Sequence, residues 1–168
     1  RLNFKQRFTL NLISNQRQKI KKIGKKFISL EINQAKFKPK ESVQRPILHK
    51  SLSKYLQKTL YVQSNDPEII STANQIAGKI KNAWETAIYL NQWVSQNIQA
   101  NQSFLFASAR EVLDMGMGDC TEHAVLLCAF TRSLGIPSKI CFGIVYAKGG
   151  FWYHSWVEVC LLYTSPSP

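Results

Sequence analysis

Two side chains in the last third of the chain have the types and surroundings for covalent chemistry. Cys120 follows Gly116-Met117-Gly118-Asp119, where a glycine turn runs into a helical pattern. Asp119 is an N-cap residue type, and Glu122 three positions on completes the spacing of a capping box, which predicts Cys120 on the first helical turn. Free backbone N–H groups and the positive end of the helix dipole favour the thiolate there, the nucleophilic form of cysteine; Asp119, a nearby negative charge, opposes this slightly. Such a thiol needs a base. Of the three histidines, His154 lies in the run Phe151 to Val159, whose aromatic and β-branched residues predict a strand. Period two puts Trp152, His154, Trp156 and Glu158 on one face. A strand-borne imidazole facing a helix-borne thiol is a nucleophile and base suited to acyl chemistry.

The elements that must hold this pair are legible around it. The helix opened by Asp119 continues through Ala124, Leu127, Cys128, Thr131 and Leu134 on one face, ends at Gly135 and cannot resume past Pro137. Ile140 to Tyr146 reads as a first hairpin arm, with the turn at Gly149-Gly150. Upstream, Asp66-Pro67 opens a helix with an apolar face of Ile69, Ile70, Ala73, Ile76, Ala77 and Ile80. Asn82 opens a second, with Glu85 at capping-box spacing and a stripe of Ala87, Leu90, Val94 and Ile98. Trp84 and Trp93 beside it read as core. Asn97 to Ala107 is expected to be a polar loop ending in Phe104-Leu105-Phe106, and Ser108 with Glu111 caps a short helix leading to the cysteine turn.

Other residue types near the pair have plainer readings. Cys128 and Cys141 sit in apolar runs, as buried small hydrophobes do. Four cysteines, with Cys160 the last, are too few and scattered for a disulfide scaffold. His123 follows Cys120 by three residues, so both could ligate a metal with Cys128 or Cys141. Zinc, however, takes four tetrahedral ligands from tight local pairs, and only one such pair is present, so no metal or cofactor is expected. Glu122 reads as a capping residue, Trp156 as a cover that keeps the site dry, and Tyr153, on the opposite face, as core.

Charge divides the chain. Residues 1–65 carry 16 Lys and Arg against 2 acids, a net +14, whereas residues 66–168 carry 6 against 8, a net −2. The expected organisation is therefore a basic β-rich region with its connector over 1–65, a core over 66–159, and an atypical tail over 160–168. In the first part, antiparallel strands with a basic turn at Lys21 to Lys26 are expected, then an irregular connector over 36–65 with a helical turn near Ser53 to Leu56. Such a region could touch an anionic surface, but a solvated basic sheet is the plainer reading, and nothing suggests specific nucleic-acid binding. A hydrophobic content of 45% suffices for a core, while no stretch approaches the roughly 20 apolar residues of a membrane span. No signal peptide is visible, but Arg1 is not an initiator methionine, so that silence says little about location.

Three blocks in order, Gly118-Asp119-Cys120-Thr121-Glu122-His123-Ala124, Leu134-Gly135-Ile136-Pro137-Ser138-Lys139 and Tyr153-His154-Ser155-Trp156-Val157-Glu158-Val159, resemble the core of the transglutaminase-like superfamily, closest to its bacterial members. The resemblance covers about Asp66 to Val159. It implies an α+β, papain-like fold with helices packed on an antiparallel sheet, Cys120 as nucleophile, His154 as general base, a protein or peptide substrate and an extracytoplasmic bacterial setting. The family's third triad residue, an Asp on the next strand, has no counterpart: no Asp or Glu follows Glu158. The tail from Cys160 to Pro168 instead ends in Ser and Pro, which cannot join a central strand. The expectation is a core that stops short of its third triad residue and is nearly inactive. Two functions follow: cysteine-dependent acyl transfer or amide hydrolysis, or a non-catalytic binding module that keeps the fold and is tethered by its basic region.

Overall fold

The computed structural model describes residues 18–23, 28–32, 42–101 and 106–161. The strands expected before residue 18, the Phe104-Leu105 pair and the tail beyond Leu161 lie outside the described residues. The chain divides into two compact units, Arg1–Lys38 and Pro39–Pro168, so the division falls earlier than the charge break near Asp66.

In the first unit, β1 (Gln18–Ile23) pairs antiparallel with β2 (Ile28–Ile32), with a register shift between Ile20 and Lys22. Lys21 pairs with Glu31 across the ladder. Of the basic turn expected at Lys21 to Lys26, residues 21–23 are in the strand, and residues 24–26 lie outside the described residues. Lys22 and Ile23 still have cross-strand partners, Ser29 and Ile28, and the ladder extends into the basic run.

The second unit is α+β. Its elements are α1 (Pro67–Ala77), α2 (Ala83–Asn97), β3 (Gln99–Ala100), α3 (Ala109–Met115), β4 (Met117–Gly118), α4 (Cys120–Ser133), β5 (Ser138–Ala147) and β6 (Gly150–Val159), with a 3₁₀ turn over Lys50–Tyr55. The helix starts follow from their caps: the Asp66 side chain accepts from Glu68 and Ile69 N–H, Asn82 from Glu85 N–H, and Ser108 forms a reciprocal box with Glu111. Helix α4 lies at the centre, against α1, α2 and α3 and against the hairpin. It buries Val125, Leu126, Ala129 and Phe130 as well as the predicted Ala124, Cys128 and Thr131, because neighbours cover it on more than one side. Phe130 is fully buried with Trp93 edge-to-face at 5.6 Å, and burial of a side chain this size stabilises by about 1.5–3 kcal/mol.

Residues 42–65, read from sequence as connector, fold with these helices. Ile47 is fully buried and Val62 nearly so. Val43, Arg45 and Ile47 exchange backbone hydrogen bonds with Ala83, Lys81, Gly135 and Leu161. The Arg45 guanidinium donates to the carbonyls of Ala77, Gly78, Ile80 and Leu134 and to Thr86 Oγ1. It thereby satisfies carbonyls that the ends of α1 and α4 leave open.

Strands β5 and β6 pair from Ser138 opposite Val159 to Ala147 opposite Gly150. The connecting residues are Lys148 and Gly149, both with positive φ, 50° and 78°, one residue earlier than the predicted turn. That pair of angles suits a two-residue hairpin turn. One face of the hairpin meets α4 through Ser138, Ile140, Val157 and Ser155. Farther out, the same face carries Phe142, Ile144, Tyr146, Phe151 and Tyr153, all exposed. Tyr153, expected in the core, is 90% exposed, because the hairpin runs on past the end of α4. The predicted loop after α2 includes β3, which pairs parallel with β4 through Gln99 to Met117 and Ala100 to Gly118. Among the described residues no helix is long and apolar enough to cross a membrane.

Candidate active site

Cys120 is the first residue of α4, and the cap before it is built as the sequence predicts. The Asp119 carboxylate accepts from Thr121 N–H at 2.6 Å and from the backbone of Glu122, while Glu122 Oε2 accepts from Asp119 N–H at 3.0 Å. Glu122 is buried beneath β4. A Cβ added at Gly118 would stand 2.3 Å from Glu122 Cβ, so only glycine permits this approach. The two carboxyls diverge. Burial pushes Glu122 up, and contact with Asp119 pushes it further. Burial also raises Asp119, but hydrogen bonds from Glu122 and from the first-turn N–H groups outweigh it and hold Asp119 below its ordinary value.

The face of β6 that meets α4 is the one carrying Ser155, whose Oγ lies 3.2 Å from Thr121 Oγ1, and Val157. His154 is on the other face, with Trp152, Trp156 and Glu158, and is exposed. It sits opposite Gly143, and the Trp156 ring covers Gly143 so closely that an added Cβ there would lie 2.7 Å from the indole. Glu158 is ion-paired with Lys139 at 3.0 Å, which holds its carboxyl below the ordinary range. Trp156 comes between it and His154 along this face, so Glu158 serves Lys139 rather than the imidazole.

Cys120 and His154 nevertheless line one open cleft of about 810 Å³. One wall is α2 with Asn91, Val94 and Ser95 and the β3 segment with Ala100 and the following Asn101; the other is β6, with Ser155, Trp156 and Val157; Gly118, Asp119, Cys120, His123, Ala124 and Leu127 lie between them. Trp156, 38% exposed, lines the cleft. The cleft therefore holds a thiol, the imidazoles of His123 and His154, the Asp119 carboxylate and neutral hydrogen-bonding side chains, among which a thiol and an imidazole base could serve nucleophilic acyl transfer.

The other thiols differ. Cys120, Cys128, Cys141 and Cys160 form no disulfide. Cys128 is fully buried against Ser138, and burial pushes its thiol up. Burial, then the Glu158 charge, does the same at half-buried Cys141. His123, read from sequence only as a weak metal ligand, lines the cleft and lies on two backbone carbonyls. Its spacing from Cys120 gave no sign of that, because one partner, Ile98, is 25 residues away. Among the described residues no cluster of three His, Cys, Asp or Glu side chains is set to hold a metal.

Comparison with known proteins bears on the whole arrangement. The model of the transglutaminase-like superfamily matches residues 70–165. A solved structure from Cytophaga hutchinsonii, provisionally assigned as a cysteine protease, is similar with a TM-score of 0.63 at 23% identity, over 72% of this chain and 42% of that one. A second, from Parabacteroides distasonis and provisionally assigned as a protease, matches at 18% identity with a TM-score of 0.48, over 69% of this chain and 26% of that one. The chain thus spans less than half the length of either protein. No curated protein matches.

Proposed function

Because the chain belongs to the transglutaminase-like superfamily, we propose that it is a cysteine-dependent acyl transferase or amide hydrolase acting on a protein or peptide, with Cys120 as nucleophile and His154 as base. The observation that supports this reading is that Cys120, at the start of α4, and His154, on β6, line one cleft.

In this reading His154 takes the thiol proton and Cys120 Sγ bonds to the amide carbon. The carbonyl π electrons move to oxygen, giving a tetrahedral oxyanion. The cap occupies the Thr121 and Glu122 N–H groups, so the Cys120 N–H is the first-turn donor left for that oxyanion. As the intermediate collapses the C–N bond breaks, and the imidazolium gives its proton to the departing amine. A water or an incoming amine, deprotonated by His154, then attacks the thioester. It releases an acid or a new amide and returns the thiol. The neutral side chains of Asn91, Ser95 and Asn101 suit an uncharged peptide stretch.

The test is to assay the protein against a peptide-amide library for hydrolysis and for incorporation of a labelled primary amine, beside Cys120→Ala and His154→Ala. Loss of turnover by at least about 10³-fold in both variants is expected. Turnover that survives Cys120→Ala would exclude this site, whereas no turnover in the parent protein would favour the reading of a binding module.

A further inference from the structure

We propose that His123 is a positioning residue of this site, acting through the Asp119–Cys120 peptide group; the proposal rests on the reading of Cys120 as nucleophile. Nδ1 of His123 lies 2.6 Å from the carbonyl oxygen of Asp119, and Nε2 lies 3.1 Å from that of Ile98. Carbonyl oxygens only accept, so both contacts are hydrogen bonds at once only when each ring nitrogen carries a proton, as in the imidazolium; a neutral ring donates to one carbonyl at a time. Asp119 C=O belongs to the same peptide unit as Cys120 N–H. A hydrogen bond into that oxygen polarises the unit and strengthens the N–H as a donor, by about 10–30% per bond. Ile98 is the residue before β3, the wall that brings Ala100 and Asn101 to the cleft. The rigid imidazole therefore fixes the floor of the cleft against this wall, beside the ladder bonds Gln99 N–H to Gly116 O and Asn101 N–H to Gly118 O. The backbone of His123 also donates to Asp119 O, at 3.1 Å, so this carbonyl is held twice. A residue needed only for packing would not require both ring nitrogens on carbonyls at the two sides of the cleft floor.

Two reagents separate this role from a purely structural one. Acylation by p-nitrophenyl acetate passes through a tetrahedral oxyanion, whereas alkylation by iodoacetamide displaces iodide at a saturated carbon and forms none. Both rates are measured at Cys120 by mass spectrometry of its peptide, with thermal midpoints, in the full chain and in His123→Asn, His123→Gln and His123→Ala. Asparagine places its amide near Nδ1 and keeps the Asp119 contact; glutamine places its amide near Nε2 and keeps only the Ile98 contact. Acylation is expected to fall about tenfold in His123→Gln and His123→Ala, with alkylation within about twofold, and to recover most of the loss in His123→Asn; tenfold corresponds to about 1.4 kcal/mol, near that of one hydrogen bond. Unchanged acylation in all three variants overturns the proposal, and so does an equal fall in both reactions. If the parent protein forms no acyl adduct at Cys120, the nucleophile assignment itself fails, a result distinct from either of these.

Discussion

At the first turn of α4 two carboxyl side chains, three residues apart, acquire opposite characters. Glu122 is buried and pushed up, first by burial and then by Asp119, so the folded chain holds its proton more tightly than the unfolded one. Its contribution to stability is present below the ordinary glutamate value of 4.5 and is lost as pH rises through the folded value. Asp119, held low, works the other way: its contribution is present above 3.8 and is lost as pH falls. Glu122→Gln keeps the oxygen that accepts from Asp119 N–H but cannot ionise. Urea unfolding from about pH 4 to about pH 8 should therefore show the parent losing stability relative to the variant as pH rises. Parallel profiles would mean that Glu122 titrates alike in both states. The capping role of both residues was legible from their spacing, since a cap is a local contact. The divergence of their protonation was not, because β4 and the buried surroundings set it.

At the scale of elements, short pieces depend most on their ends. Helix α3 has seven residues, and isolated helices of that length are not stable in water. Its box is complete: Glu111 Oε2 accepts from Ser108 N–H at 2.8 Å and from Ser108 Oγ at 2.7 Å. These bonds hold the Glu111 carboxyl below its ordinary value. The helix delivers the chain to β4 and so to the cysteine turn. Ser108→Ala should cost about 1 kcal/mol, read as a shift of the urea midpoint at unchanged slope. No measurable shift would show that packing of Ala109 and Val112, both fully buried, holds α3 without its cap. The hairpin obeys the same local logic, since its aromatic and β-branched alternation set its faces. The sequence reading puts the face of Tyr153 in the core, and Ser155 and Val157 of that face do pack on α4, but Tyr153 itself lies beyond the contact, because period two gives the faces and not how far a partner covers them.

For the molecule as a whole, Arg45 joins parts of the chain that are far apart in sequence. Its guanidinium reaches the ends of α1 and α4, the α1–α2 connection and Thr86. Replacing it by methionine leaves those carbonyls without their cation. A loss on the order of 3 kcal/mol is expected, because orphaned buried acceptors keep their full desolvation cost. Chemical unfolding of Arg45→Met measures this, and a loss under about 1 kcal/mol would show that water replaces the guanidinium. The same contact explains why residues 42–65 belong with the helices although their composition matches the basic region before them. Composition records average charge, and a single inward arginine in a basic stretch does not change it.

From the sequence alone, the starts of four helices, the hairpin and the three motif blocks around Cys120 and His154 could be read, because caps, turns and periodicity involve residues within about five positions of one another. The transglutaminase-like resemblance came from those same local blocks, and the match over residues 70–165 agrees with it. What only the tertiary structure decided needed partners from elsewhere in the chain. It left Tyr153 in solvent, beyond the contact of Ser155 and Val157 with α4, and gave Glu158 to Lys139. It also brought His123 onto the carbonyl of Ile98, and Cys120 and His154, 34 positions apart, to one cleft. Each of these depends on how α4 packs among its neighbours, a free-energy balance over many contacts that no short window of residues contains.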